Sequence, residues 1–114
     1  TLLVGGRLSG LGGIAVGQGA CESIAATAAD LCLLGACGMD PDFGLSADSL
    51  DEAEVKRAMT AASRHTAVLA DRGKLGRRAR HQVLTCAEVN LLITDTPPED
   101  AGAFAETGLE IRNA

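Results

Sequence analysis

Asp48-Ser-Leu-Asp-Glu-Ala-Glu-Val-Lys-Arg-Ala-Met-Thr-Ala-Ala-Ser-Arg-His-Thr-Ala-Val-Leu-Ala-Asp-Arg-Gly-Lys74 reads as one helix followed by one strand. Ser49 with Glu52 three residues on is a capping-box pattern, so a helix is expected from Leu50. Val55, Ala58, Met59 and Ala62 fall at i, i+3, i+4 and i+7 and form its apolar stripe, with Glu52, Lys56 and Thr60 on the opposite face. The pattern then changes to Thr66-Ala67-Val68-Leu69-Ala70, the short apolar run of a strand buried on both faces, stopped by Asp71. If that strand joins a parallel sheet, the helix start and the strand end share one edge. Lys56 leans back toward the helix N-terminus and Lys74 follows the strand, so the only two lysines of the chain meet at the carboxyl edge, where open α/β sheets bind ligands.

Working outward, the elements alternate. Thr1 to Val4 is a predicted strand ended by Gly5-Gly6. Leu8 to Val16 is a loop or loose hairpin with Ile14-Ala15-Val16 as a short strand, and Ala20 to Ala29 is a helix with Ile24 and Ala28 facing inward. Gly17-Gln18-Gly19 resembles the opening of a dinucleotide fingerprint, but Glu22 stands where the third glycine belongs, which argues against a nicotinamide cofactor and for a plain turn. Leu31 to Ala36 is the most apolar run and is expected to be the central strand. The loop behind it carries Asp40 and Asp42, which are either ligand groups or the polar residues of an Asp-Pro-Asp turn. Strands at Gln82–Thr85, Leu91–Asp95 and Leu109–Arg112 and a helix over Pro98–Ala105, closed by Gly108, complete an α/β chain with a mostly parallel sheet.

Composition narrows the function. Of 114 residues, 46% are hydrophobic but 2% aromatic, so the core is built from Ala, Val, Leu and Ile. The net charge of −5 argues against nucleic-acid binding as the main activity. Arg72, Lys74, Arg77, Arg78 and Arg80 hold half the positive charge in nine residues, a pattern that usually marks a solvated loop. Cys21, Cys32, Cys37 and Cys86 lack metal-site spacing and read as free thiols of a reducing cytoplasm, with no metal and no cofactor. No apolar stretch approaches the ~20 residues of a membrane span. The chain opens on a strand without methionine and looks like a piece of a longer protein.

The order Val4-Gly5-Gly6, Gly35-x-x-Gly38-Met39-Asp40-x-x-x-Gly44-Leu45, Glu52-Ala53-x-Val55-Lys56-Arg57-Ala58-Met59, Leu69-Ala70-Asp71-x-x-Lys74-Leu75-Gly76 and Ile93-Thr94-Asp95 resembles the C-terminal sensor domain of DeoR-type bacterial transcriptional repressors. The resemblance covers essentially the whole chain. It implies a Rossmann-like, three-layer effector domain, similar to ribose-phosphate isomerases, that binds a phosphorylated sugar in a homo-oligomer. It also implies that the first βα units, with their Gly/Ser/Thr-rich phosphate loop, and an N-terminal winged helix-turn-helix that contacts operator DNA are missing here. Ligand contacts are then expected from Lys56 and Lys74 to the anion and from Asp40, Asp48 and Glu52 to hydroxyls. The alternative is a sugar-phosphate isomerase-like enzyme. Against it, the position of the isomerase's catalytic glutamate falls at Lys56 and its first loop aspartate at Cys37, and an ammonium cannot take the proton. Without the resemblance, Lys56 and Glu52 read as an exposed i, i+4 pair worth ~0.3 kcal/mol.

Overall fold

The computed structural model describes residues 2–9 and 13–114. In chain order the elements are β1 (Arg7–Ser9), β2 (Ile14–Val16), α1 (Gln18–Ala25), β3 (Ala29–Gly35), β4 (Gly38–Asp40), β5 (Gly44–Ala47), α2 (Leu50–Ala61), β6 (Ser63–Leu69), β7 (His81–Leu84), β8 (Leu91–Thr94), α3 (Gly102–Ala105) and β9 (Glu110–Asn113). Single 3-10 turns precede β8 at Cys86–Glu88 and α3 at Pro98–Asp100. Strands β3, β6, β8 and β9 form a parallel sheet in that order, the α/β architecture expected of a Rossmann-like chain. Strands β4, β5 and β7 make a small antiparallel sheet, and β1 pairs with β2 as a hairpin.

Helix α2 begins as its sequence dictates, with the Ser49 hydroxyl accepting from the Glu52 N–H at 3.1 Å. The Glu52 carboxylate, expected to close the capping box, reaches Lys56 instead. The expected stripe is borne out in part, since Val55 is buried and Met59 packs against both core clusters, but the face opposite it is not the solvent face. Ala53 and Val55 are its buried residues, and Glu54 and Arg57 face solvent while Glu52, Lys56 and Thr60 are largely covered. Arg57 is then free to staple the helix to β7 by donating to the carbonyls of Val83 and Gln82.

Steps β3 to β6, β6 to β8 and β8 to β9 all move the same way across the sheet, so right-handed connections place the intervening elements on one face. Cys32, Leu34, Thr66, Val68, Leu92 and Thr94 alternate onto that face and are buried. Met39, Leu45 and Ala47 of the antiparallel sheet, together with Phe104 and Leu109, join the same core. A smaller cluster of Val16, Ala20 and Val55 fastens α1 and β2 to α2.

Three expectations need correction. The run Leu31–Ala36 is not a central strand: β3 is the edge of the parallel sheet, with Leu31 and Leu33 more than half exposed. Residues 2–5 form no strand, and Thr1 lies outside the described residues, as do 10–12 of the expected loop. The helix expected over Ala20–Ala29 spans Gln18–Ala25, because the Ala29 N–H already bonds the Ala62 carbonyl at 2.9 Å and begins β3, leaving Ala28 exposed. Two glycines set the packing of the antiparallel sheet. A side chain at Gly38 would strike the Arg77 carbonyl, and one at Gly44, where φ is +80°, would strike the Leu84 carbonyl.

Candidate functional site at the carboxyl edge of the sheet

All four parallel strands end on the same edge, and the two lysines arrive there by different routes. From α2, the Lys56 ammonium donates to the carbonyl of Gly35, the last residue of β3, at 2.9 Å. It also pairs with the Glu52 carboxylate at 3.2 Å. The side chains of Lys56 and Glu52 are only 14% and 18% exposed, so this is no solvated surface pair. The covered stem delivers the charge to the rim. Coulomb attraction between such groups is screened less than at an open surface.

Lys74 reaches the same loop through its main chain. Its carbonyl accepts from the Met39 N–H at 2.9 Å, the Met39 carbonyl accepts from the Gly76 N–H at 2.7 Å, and the Lys74 N–H bonds the Asp71 carbonyl at 2.9 Å. Residues 35–39, from the end of β3 into β4, are thus held at one end by the Lys56 side chain and at the other by the Lys74 backbone. Beside them a shallow depression at the ends of β6 and β8 is lined by Leu69, Ala70, Asp71, Ile93, Thr94 and Asp95.

Asp40 is buried and structurally committed. A single carboxylate oxygen, Oδ2, accepts from the N–H groups of Asp42 at 3.0 Å and Phe43 at 2.8 Å, and lies 3.2 Å from the Arg78 guanidinium. Burial pushes its pKa up, but these N–H donors and the guanidinium outweigh that and hold the carboxyl below the ordinary aspartate range. The Asp-Pro-Asp stretch is therefore the turn that its composition allows, with Asp40 as its anchor. Asp48, by contrast, is exposed just before the Ser49 cap.

Some of the basic run is less idle than its composition implied. Arg78 joins Asp40 and Asp42 and stacks over the Phe43 ring, 5.7 Å from its centre. At the edge, the Arg72 N–H donates to Asp95 at 2.7 Å and its guanidinium lies 3.5 Å from the same carboxylate. Arg57, Arg78, Asp95 and the Gly35 carbonyl were missed by sequence reasoning. Their partners are 21 or more residues away, and a backbone carbonyl carries no residue signal at all.

Chemically, this edge offers a positively charged group with spare donor capacity, hydroxyl acceptors close by, and main-chain groups at strand ends. That arrangement holds an anion or a polyol. Burial pushes the thiols of Cys32 and Cys86 up, which disfavours their thiolate forms near neutral pH. No helix among the described residues is long and apolar enough to cross a membrane.

Comparison with known proteins points to one family. Residues 1–96 match the family model described as the DeoR C terminal sensor domain. The glycerol-3-phosphate regulon repressor of Escherichia coli is 32% identical over 97 residues, covering 85% of this chain and 38% of that protein. The HTH-type transcriptional regulator GlpR of Haloferax volcanii is 36% identical over 93 residues, covering 82% and 36%. The HTH-type transcriptional repressor GlcR of Bacillus subtilis is 30% identical over 99 residues, covering 87% and 38%. The chain spans less than two fifths of the length of these curated relatives.

Proposed function

Because the chain belongs to the DeoR C terminal sensor domain family, we propose that it is the effector-sensing part of a cytoplasmic transcriptional repressor. Its effector is a phosphorylated sugar or a related metabolite. Binding controls operator contacts made by a domain outside these 114 residues, within a homo-oligomer. The observation that carries the reading is the Lys56 ammonium at the carboxyl end of β3, held by Gly35 and Glu52 on the edge of the sheet where α/β folds take anionic ligands. The E. coli relative and one from Haemophilus influenzae, both glycerol-3-phosphate regulon repressors, support a small phosphate ester as ligand class.

In this reading Lys56 and Lys74 meet the phosphate, while Glu52 and Asp48 accept from hydroxyls. Asp40 contributes by fixing the loop, since its Oδ2 is already taken by three donors. Turnover is not part of the reading, because Lys56 replaces the base that isomerisation needs.

The test is isothermal titration with glycerol 3-phosphate and a panel of pentose and hexose phosphates. One member is expected to bind, and Lys56→Gln should weaken it about 10- to 100-fold, the ~1.4–2.8 kcal/mol of a charge-assisted contact. Binding unchanged in that variant, or isomerised product in the mixture by NMR, would overturn the assignment.

A further inference from the structure

The two lysines of the edge are held in different ways. The Lys56 ammonium donates to the Gly35 carbonyl and pairs with Glu52. Lys74 is half-buried, and its side chain forms no ion pair among the described residues. Its place is set by its main chain, in the turn Asp71–Lys74 closed by the Lys74 N–H on the Asp71 carbonyl at 2.9 Å. On one side this turn is tied to β4 by the Lys74 carbonyl and the Met39 N–H. On the other it leaves β6, and the Ala70 N–H still bonds the Ile93 carbonyl of β8 at 3.0 Å. The next tie to β8 comes from a side chain: Asp95, directly after that strand, accepts from the Arg72 N–H at 2.7 Å.

We infer that Asp95 is a positioning residue for the effector. By gripping the Arg72 N–H it fixes the turn that carries Lys74, and so sets that ammonium where the phosphate of the ligand meets it. This rests on the anion contact of Lys74 proposed above. A carboxylate bond to a main-chain N–H is charge-assisted, about twice as strong as a neutral one. The second contact of Asp95, 3.5 Å to the Arg72 guanidinium between side chains 46% and 69% exposed, is an open surface pair that contributes little. The amide bond is therefore the one that matters, and losing it frees the turn without removing the charge of Lys74. A binding group in that condition keeps its attraction and loses its aim. Electrostatics alone gives the opposite sign: Asp95 is a negative charge on an edge that receives an anion, so deleting it would tighten binding. Positioning requires that deleting it weakens binding.

Isothermal titration with glycerol 3-phosphate and the pentose and hexose phosphates tests this. For the compound that binds the parent chain, Asp95→Ala should raise Kd about tenfold, a coupling usual within one hydrogen-bond network. Asp95→Asn keeps an oxygen for the Arg72 N–H, and Arg72→Ala keeps the N–H itself, so both should stay within about twofold of the parent. In a Lys74→Gln background Asp95→Ala should have no further effect, because no ammonium is left to misplace. Amide exchange by NMR should quicken at Arg72 and Lys74 in Asp95→Ala while Val68 of β6 stays protected, which also shows that the variant is folded. Unchanged or tighter binding by Asp95→Ala would overturn the inference. So would Asp95→Asn as weak as Asp95→Ala, or the same loss in the Lys74→Gln background, which would make Asp95 a direct ligand contact or a support of the whole fold. Binding that depends on Lys74 and ignores Asp95 sinks this inference alone, whereas a parent chain that binds no member of the panel sinks the proposed function and this inference with it.

Discussion

Replacing Asp40 tests the claim that this carboxylate builds the loop behind β3. In Asp40→Ala the N–H groups of Asp42 and Phe43 lose their acceptor and Arg78 loses its closest anion. Hydrogen bonds to a charged group contribute about 1.5–3 kcal/mol each. The turn is only partly buried, so water recovers some of that, and a total cost of about 3 kcal/mol is expected. Against a typical stability of ~5–15 kcal/mol, such a loss lowers the melting temperature by roughly 10 °C. Asp40→Asn keeps an oxygen in the accepting position and loses only the charge, so it should cost about 1 kcal/mol. Urea denaturation at pH 7 separates the two. The pH dependence adds a sign. The carboxyl is held below its ordinary value of 3.8 in the folded protein, so its contribution is fully present above that value and disappears as pH falls through the lower folded one. Asp40→Asn should flatten that acid limb. Asp40→Ala within about 0.5 kcal/mol of the parent, inside the range of an ordinary surface substitution, would refute the reasoning, as would equal costs for the two variants.

Further expectations concern the frame. Gly44→Ala forces a β-carbon against the Leu84 carbonyl at a φ of +80°, and should cost at least about 2 kcal/mol in thermal denaturation. Ser49→Ala removes the cap of α2 and should cost about 1 kcal/mol in urea, with the helical circular dichroism signal retained. Thr66 and Asn90 exchange two bonds, Thr66 N–H to the Asn90 side chain at 2.7 Å and Asn90 N–H to the Thr66 carbonyl at 3.0 Å. Asn90→Ala should therefore speed amide exchange at Thr66 at least tenfold by NMR, leaving Ile111 protected.

What was legible in the sequence was local. The Ser49 cap and the start of α2 at Leu50 follow from contacts within a few residues and emerged where expected, and the strand expected over Thr66–Ala70 came out as Ser63–Leu69. The edge position of β3 was not legible. An apolar run states how much surface wants burial, and nothing in Leu31–Leu34 says whether neighbours supply it. The antiparallel sheet was only partly visible: the strand expected at Gln82–Thr85 is β7, but β4 and β5 are three- and four-residue strands, and β5 meets β7 across more than thirty intervening residues, so the pairing left no local pattern. At the site, the lysines were found because the chain has only two and crossover geometry fixes where they go. Asp40 was recognised as a turn residue or a ligand group, and its three donors, the N–H groups of Asp42 and Phe43 and, from 38 positions away, the guanidinium of Arg78, show it serving the turn.

Gly38 illustrates how a position can be constrained without taking part in any chemistry. Its hydrogen is all the room the Arg77 carbonyl leaves. A survey of related chains would therefore find glycine there again and again, next to the very loop where an effector is sought. The natural temptation would be to credit the ligand for that invariance. The crowding of two stretches of main chain accounts for it fully, so repetition of this residue tells of spacing between peptides and nothing of what the molecule senses.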